Sequence, residues 1–226
     1  MLDAIELRRR LAAARLYLIF TPGLVAGREP LEVLEAALPH VDIVQVRPKG
    51  AGLAARSDAR ETLEWTERVL ALVERLRSEA LVLVNDRVDV ARALLERGVA
   101  GVHLGQDDTP PRVARELLGS AALLGLSTHS GAQVIAALDE PVDYLGFGPI
   151  HATATKGYAR GLGAEAAWIA SQAASVPVFP IGGIGLAQAS DLAEVGRAAV
   201  SSAILTARDP AAAARALRET LAALEE

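Results

Sequence analysis

Eight short, nearly continuous apolar runs punctuate this chain, and most are followed by a stretch with helical spacing. The runs are "LYLIF" (16–20), "DIVQV" (42–46), "ALVLV" (80–84), "GVHL" (101–104), "LLGLS" (123–127), "DYLGF" (143–147), "PVFPI" (177–181) and "RAAVSSAI" (197–204). Runs without polar alternation are what parallel strands buried on both faces require. Between them the period changes. In "RVDVARALLERG", Val88, Ala91, Leu94 and Leu95 share one face, and Gly98 suits a left-handed cap. The final segment, "DPAAAARALRETLAALEE", reads as a helix capped by Asp209 with Pro210 in its first turn. Alternating strands and helices give an α/β fold with a parallel sheet, and eight units favour closure into a (β/α)8 barrel. A doubly wound open sheet would carry a glycine-rich fingerprint in its first turn, which "FTPGLVAG" does not supply. The expectation is a single TIM-barrel domain over 1–226 with a short N-terminal helix.

Composition narrows the class. The 226 residues suit one barrel, 51% are hydrophobic, and the net charge of −5 argues against nucleic acid as a partner. Without cysteine, disulfides and thiolate metal sites are excluded. The first twenty residues mix acids and arginines and lack a signal-peptide core, and no apolar run reaches membrane-spanning length. The expectation is a soluble cytoplasmic protein acting on small molecules; monomer and homo-oligomer both stay open.

In such barrels chemistry sits where strands end. Arg47 and Lys49 follow the second strand; Asn85, the sole asparagine, and Asp86 end the third. His103, Gln106, Asp107 and Asp108 end the fourth, and Ser127, Thr128 and His129 the fifth. His151, Thr153, Thr155 and Lys156 follow the sixth, Gly182 and Gly183 end the seventh, and Ser201 and Ser202 fall toward the end of the eighth. Of 23 basic residues only Lys49 and Lys156 are lysine, and both lie on this rim. A compact ammonium on a flexible stem suits a diphosphate that changes shape as it leaves.

Asp86 alone reads as a cap for a helix beginning at Arg87, and Asp108 before "TPP" as another. Together, on neighbouring strand ends, two carboxylates call for a cation, and an all-oxygen set of few protein ligands suits Mg²⁺. "IGGI" after the seventh strand and "SS" near the eighth occupy the usual phosphate-binding corner of a barrel. His103 reads as a hydrogen-bonded core residue; His129 is the histidine that could reach the site, and His151 has no evident role. Gln45 could bond a heterocycle from inside the mouth, and Trp65 and Trp168 read as packing residues. The residues by themselves therefore describe a barrel holding two phosphorylated small molecules for group transfer, without naming them.

The segments "QVRPK", "LVNDRVDVA", "GVHLGQDD", "GLSTHS", "DYLGFGPIHATATK", "PIGGI" and "VSSAI", in this order, resemble thiamine-phosphate synthase. That resemblance implies a barrel joining hydroxymethylpyrimidine diphosphate to hydroxyethylthiazole phosphate, with Mg²⁺ and loss of pyrophosphate before the thiazole nitrogen attacks. It places Gln45, Val46, Arg47, Pro48, Lys49, Asn85, Ser127 and Lys156 on the pyrimidine diphosphate. It places Thr153, Ala154, Thr155, Gly183, Ser201 and Ser202 on the thiazole phosphate, and Asp86 and Asp108 on the metal. Arg47, Lys49, Ser127 and Lys156 are then the catalytic group.

The chain departs from the family pattern in having Pro48 where glutamate is usual, "IHATATK" where Phe-Pro precedes the threonines, and "GYARGLG" after Lys156. The alternatives are the paralogous thiazole tautomerase, a non-catalytic phosphate-ligand-binding barrel, and an unrelated barrel isomerase. The first would lose part of the set Lys49, Asp86, Asp108, Thr153 and Thr155; the second would erode the carboxylates or lysines. The third would need an acid–base pair on the rim.

Overall fold

A computed structural model of the protein describes residues 3–48, 58–152 and 161–222. The chain runs α1 (Ala4–Ala13), β1 (Leu16–Phe20), α2 (Pro30–Ala37), β2 (Ile43–Val46), α3 (Ala59–Arg75) and β3 (Leu81–Asn85). It continues through α4 (Val88–Leu94), β4 (Val99–Leu104), α5 (Pro111–Leu118), β5 (Leu123–Thr128), α6 (Gly131–Ala137) and β6 (Tyr144–Phe147). It ends with α7 (Ala164–Ala173), β7 (Val178–Pro180), α8 (Leu186–Ala189), β8 (Ala198–Val200), α9 (Ser202–Leu205) and α10 (Pro210–Ala222). Strands β1 to β7 are neighbours in sequence order and β8 lies beside β1. All pairings are parallel, and an isolated bridge between Ile181 and Ala199 closes the ring. The architecture is a (β/α)8 barrel.

Strand alternation sorts the apolar residues into two cores. Val44, Val46, Val82, Val84, Val102, Leu104, Leu124 and Leu145 point outward and pack under the helices with residues such as Leu34, Ala91 and Leu217. Their inward neighbours Tyr17, Ile43, Leu81, Leu83, Leu123, Tyr144 and Phe179 fill the barrel, joined by Leu7 and Leu11 of α1. Helix α1, capped where Asp3 accepts from the Glu6 N–H at 2.8 Å, therefore stoppers the end of the barrel opposite the strand C-termini.

The interior must hold large rings from β1, β6 and β7. Tyr17 and Phe179 have centroids 5.4 Å apart and Tyr144 and Phe179 5.8 Å, both edge to face. Space for them comes from β5, where Gly125 is in register with Tyr144. A Cβ on Gly125 would lie 2.0 Å from the Tyr144 ring. At the closed end Asp143, just before β6, accepts from Arg115 (2.7 Å) and from the Leu124 N–H (2.8 Å) and pairs with Arg8 (2.8 Å). That carboxylate fastens α1 and α5 to β5.

Two expectations differ from the structure. The eighth strand stops at Val200 rather than running to 204, because Ser201 and Ser202 open α9. The Ser201 hydroxyl turns back to the Ile19 carbonyl at 2.9 Å, and its own carbonyl accepts from Leu205. Serine favours such helix starts over strand continuation. Trp65 packs edge to face on Phe20, but Trp168 on α7 is 41% exposed and is not a core residue.

Candidate active site

The C-terminal ends of the strands surround a cavity of about 420 Å³. Its floor is the polar layer above the buried aromatics, and its wall takes residues from most of the strands and their loops. Gln45 of β2 is 2% exposed and donates from Nε2 to the Tyr17 hydroxyl at 2.6 Å. Asn85, the last residue of β3, is 5% exposed, and its Nδ2 has no hydrogen-bond partner among the described residues. Thr21, after β1, is also buried, and its hydroxyl has no partner among the described residues. Both residues line the cavity. Buried polar atoms without partners are rare in folded proteins, and two of them belong here to residues of the cavity wall.

Arg47 leaves β2 with its backbone N–H on the Phe20 carbonyl (2.9 Å). Burial lowers its guanidinium from the ordinary arginine value, and the nearby Asp86 carboxylate works in the opposite direction. Asp86 does not cap a helix: α4 starts at Val88 with Arg87 at the N-cap position. The residue sits instead at φ +60°, with its N–H on the His103 carbonyl at 2.8 Å. A left-handed aspartate is uncommon, and here it marks the sharp turn off β3. Asp108 does not cap α5 either, since Pro110 holds that position. Its Oδ2 accepts from the Gly105 N–H at 2.7 Å, closing the turn after β4. The carboxylates thus belong to the turns after β3 and β4, adjacent strands in the barrel. The pair is a hard-oxygen donor set of few ligands, of the kind Mg²⁺ takes, and no third His, Asp or Glu joins it in a metal-holding group among the described residues.

On the opposite side, β7 runs into Ile181, Gly182, Gly183 and Ile184, all lining the cavity. Gly183 has φ +66°, and a Cβ there would meet the Ala152 carbonyl oxygen at 2.7 Å. Only glycine allows the turn to lie against the segment after β6. Ser201 and Ser202 line the same wall. Below them Ser127 of β5 contacts His103 Nε2 at 2.9 Å, and His129 donates from Nδ1 to the Gly148 carbonyl at 2.6 Å. His103 is 8% exposed and bonded at both ring nitrogens, a core residue as its sequence context implies, though it also borders the cavity.

A family model for thiamine monophosphate synthase matches residues 16–204, from β1 to α9. The chain belongs to the thiamine monophosphate synthase family. It is 43% identical over 217 residues to the thiamine-phosphate synthase of a Synechococcus strain, covering 95% of this chain and 57% of that protein. It is 39% identical over 217 residues to that of Chloroflexus aurantiacus, covering 94% of each. The chain thus spans just over half the Synechococcus relative and nearly all of the Chloroflexus one. Among solved structures, a thiamine phosphate pyrophosphorylase from Pyrococcus furiosus superposes with a TM-score of 0.79 at 30% identity, covering 97% of this chain and all of that one.

Of the residues that the family resemblance singles out, the cavity brings together Gln45, Arg47, Asn85, Ser127, Gly183, Ser201 and Ser202. Asp86 and Asp108 occupy the adjoining turns rather than the wall. Val46 points outward into the helix layer and offers the site only its backbone, and Pro48 is buried beyond it. Lys49, Thr153, Ala154, Thr155 and Lys156 lie outside the described residues. Thr21 and the paired tyrosines of the floor were not singled out in the sequence. Thr21 carried a usable signal, as the first polar residue after the first strand; the tyrosines, inside apolar runs, carried none. His151 lies beside the same loops with Nε2 buried and without a partner among the described residues.

Proposed function

We propose that this chain condenses hydroxymethylpyrimidine diphosphate with hydroxyethylthiazole phosphate to give thiamine phosphate and pyrophosphate, in the presence of Mg²⁺. The observation that carries this reading is a single cavity with two unlike walls. One wall offers Gln45, Asn85, Arg47 and Ser127, fitted to a heterocycle and a charged leaving group; the other offers Gly183, Ser201 and Ser202, fitted to a second phosphate.

In this reading the bond between the pyrimidine methylene carbon and the diphosphate oxygen breaks first, its electron pair leaving on oxygen. The lone pair of the thiazole nitrogen then forms the new C–N bond at that carbon. Neither step needs an enzyme nucleophile. Both imidazoles bordering the cavity are held by the fold, His103 through two hydrogen bonds and His129 through the Gly148 carbonyl. The protein's part is charge and orientation. Arg47, desolvated beside the leaving group, supplies positive charge in a low-dielectric place. Lys49 and Lys156, from their positions in the motifs, would add two further cations. Asn85 Nδ2 would find in the substrate the partner it lacks among the described residues. Asp86 and Asp108 would hold Mg²⁺, whose chemistry when bound is to neutralise diphosphate oxygens.

The test is formation of thiamine phosphate and pyrophosphate by the purified chain. Product that requires both substrates and disappears with EDTA is the expected result. No product from a folded chain that still binds the thiazole phosphate would overturn the reading in favour of a tautomerase or a binding protein.

A further inference from the structure

Beneath the cavity five side chains form one continuous hydrogen-bonded chain across the barrel. Gln45 Nε2 donates to the Tyr17 hydroxyl at 2.6 Å, and the Tyr17 and Tyr144 hydroxyl oxygens are 3.0 Å apart. Tyr144 Oη is 3.0 Å from His103 Nδ1, and His103 Nε2 is 2.9 Å from Ser127 Oγ. The two ends, Gln45 on β2 and Ser127 on β5, line the cavity, while Tyr17 and Tyr144 are buried at 2% and 0% exposure.

Each inner member has one proton to give, so the direction of any link fixes all the others. The Tyr17 oxygen accepts from Gln45, and its proton goes to Tyr144. Tyr144 in turn donates to His103 Nδ1. The neutral imidazole then carries its proton on Nε2 and donates to Ser127 Oγ. That leaves the Ser127 proton available to a ligand, and leaves the Gln45 amide oxygen as an acceptor on the far side. Burial raises the Tyr17 phenol above its ordinary value, with its hydrogen bonds to Tyr144 and Gln45 opposing. The phenols therefore remain proton donors over ordinary pH.

We propose that Tyr17, Tyr144 and His103 are positioning residues that set the two cavity-facing ends together, making Gln45 an acceptor and Ser127 a donor toward one heterocycle. The ligand edge this selects pairs an N–H toward β2 with a hydrogen-bond acceptor toward β5, the pattern that the amino group and adjacent ring nitrogen of a 4-aminopyrimidine present. The link to catalysis rests on the synthase reading proposed above; the proton order within the chain does not.

Two measurements separate them. Nitrogen-15 NMR of the wild-type protein, with His103 assigned from the spectrum of His103→Gln, reads the tautomer directly. A neutral ring protonated at Nε2 is expected. A ring protonated at Nδ1, or at both nitrogens, near neutral pH would overturn the proton order whether or not the condensation occurs. Tyr144→Phe and Tyr17→Phe each keep the ring and cut one link. Each should raise KM for the pyrimidine diphosphate about tenfold, the effect of one lost hydrogen bond to an aligned ligand group, with KM for the thiazole phosphate unchanged. In Tyr144→Phe the tautomer signal should also become mixed. Unchanged KM for both substrates in both variants, or equal rises for both substrates, would overturn the positioning role.

Discussion

Asp86 is a carboxylate in a conformation that most side chains avoid. Its φ of +60° and its N–H bond to the His103 carbonyl place it at the turn leaving β3, where burial lowers the Arg47 guanidinium and the Asp86 charge acts to raise it. Asparagine tolerates the left-handed region at least as well as aspartate. Asp86→Asn should therefore fold with an unchanged Tm while Mg²⁺-dependent turnover falls at least about 100-fold, a loss in line with damage to a metal site. Turnover within a few-fold of wild type, followed over a Mg²⁺ titration, would remove Asp86 from the reaction. At this scale the sequence was legible in position: the sole asparagine and the aspartate after it do mark the end of β3, with Asn85 on the cavity wall and Asp86 in the adjoining turn. The backbone strain was not, since a cap and a left-handed turn look alike in "NDRV" until the chain is folded.

The same contrast holds for the elements. Continuous apolar runs located all eight strands because two-sided burial leaves no room for polar alternation. Their ends were less legible. In "RAAVSSAI" the apolar residues on both sides of the serines continue the run, yet the Ser201 hydroxyl bonds to Ile19 and the chain turns into α9. Trp168 failed for a related reason: α7 presents it outward, and helical spacing alone does not tell which face meets the barrel. Pairing across the barrel was invisible as well. Gly125 looks like a weak point in "LLGLS", whereas it makes the space that the Tyr144 ring fills. Gly125→Ala should cost about 1–3 kcal/mol by overpacking, measured by denaturant unfolding. It should also disturb the floor beneath Ser127. A neutral effect on both stability and activity would mean the ring has room to move.

For the molecule as a whole, the stopper helix α1 and the aromatic interior seal one end of the barrel and leave the other polar and open. Burial raises the phenols of both Tyr17 and Tyr144, and for Tyr144 the neighbouring Tyr17 adds to the rise. Phenols in an unfolded chain titrate near pH 10, by the usual value of about 10. A group whose folded pKa is raised stabilises the fold below the unfolded pKa and loses that contribution as pH rises beyond it. The contribution of these two phenols to stability should thus be level below about pH 10 and fall above it. Phenolate absorbance should show at most one of the three tyrosines ionising near pH 10 while the fold is intact. Three tyrosines ionising together there would contradict the burial of the floor.

The central claim is that one cavity grips two phosphorylated substrates by opposite walls, and steady-state kinetics on two variants test it most directly. Asn85→Ala should raise KM for the pyrimidine diphosphate about tenfold or more and leave KM for the thiazole phosphate near wild type. Ser202→Ala should do the reverse. If both variants shift the KM of the same substrate, or neither shifts any, the two-walled cavity is the wrong account of this protein.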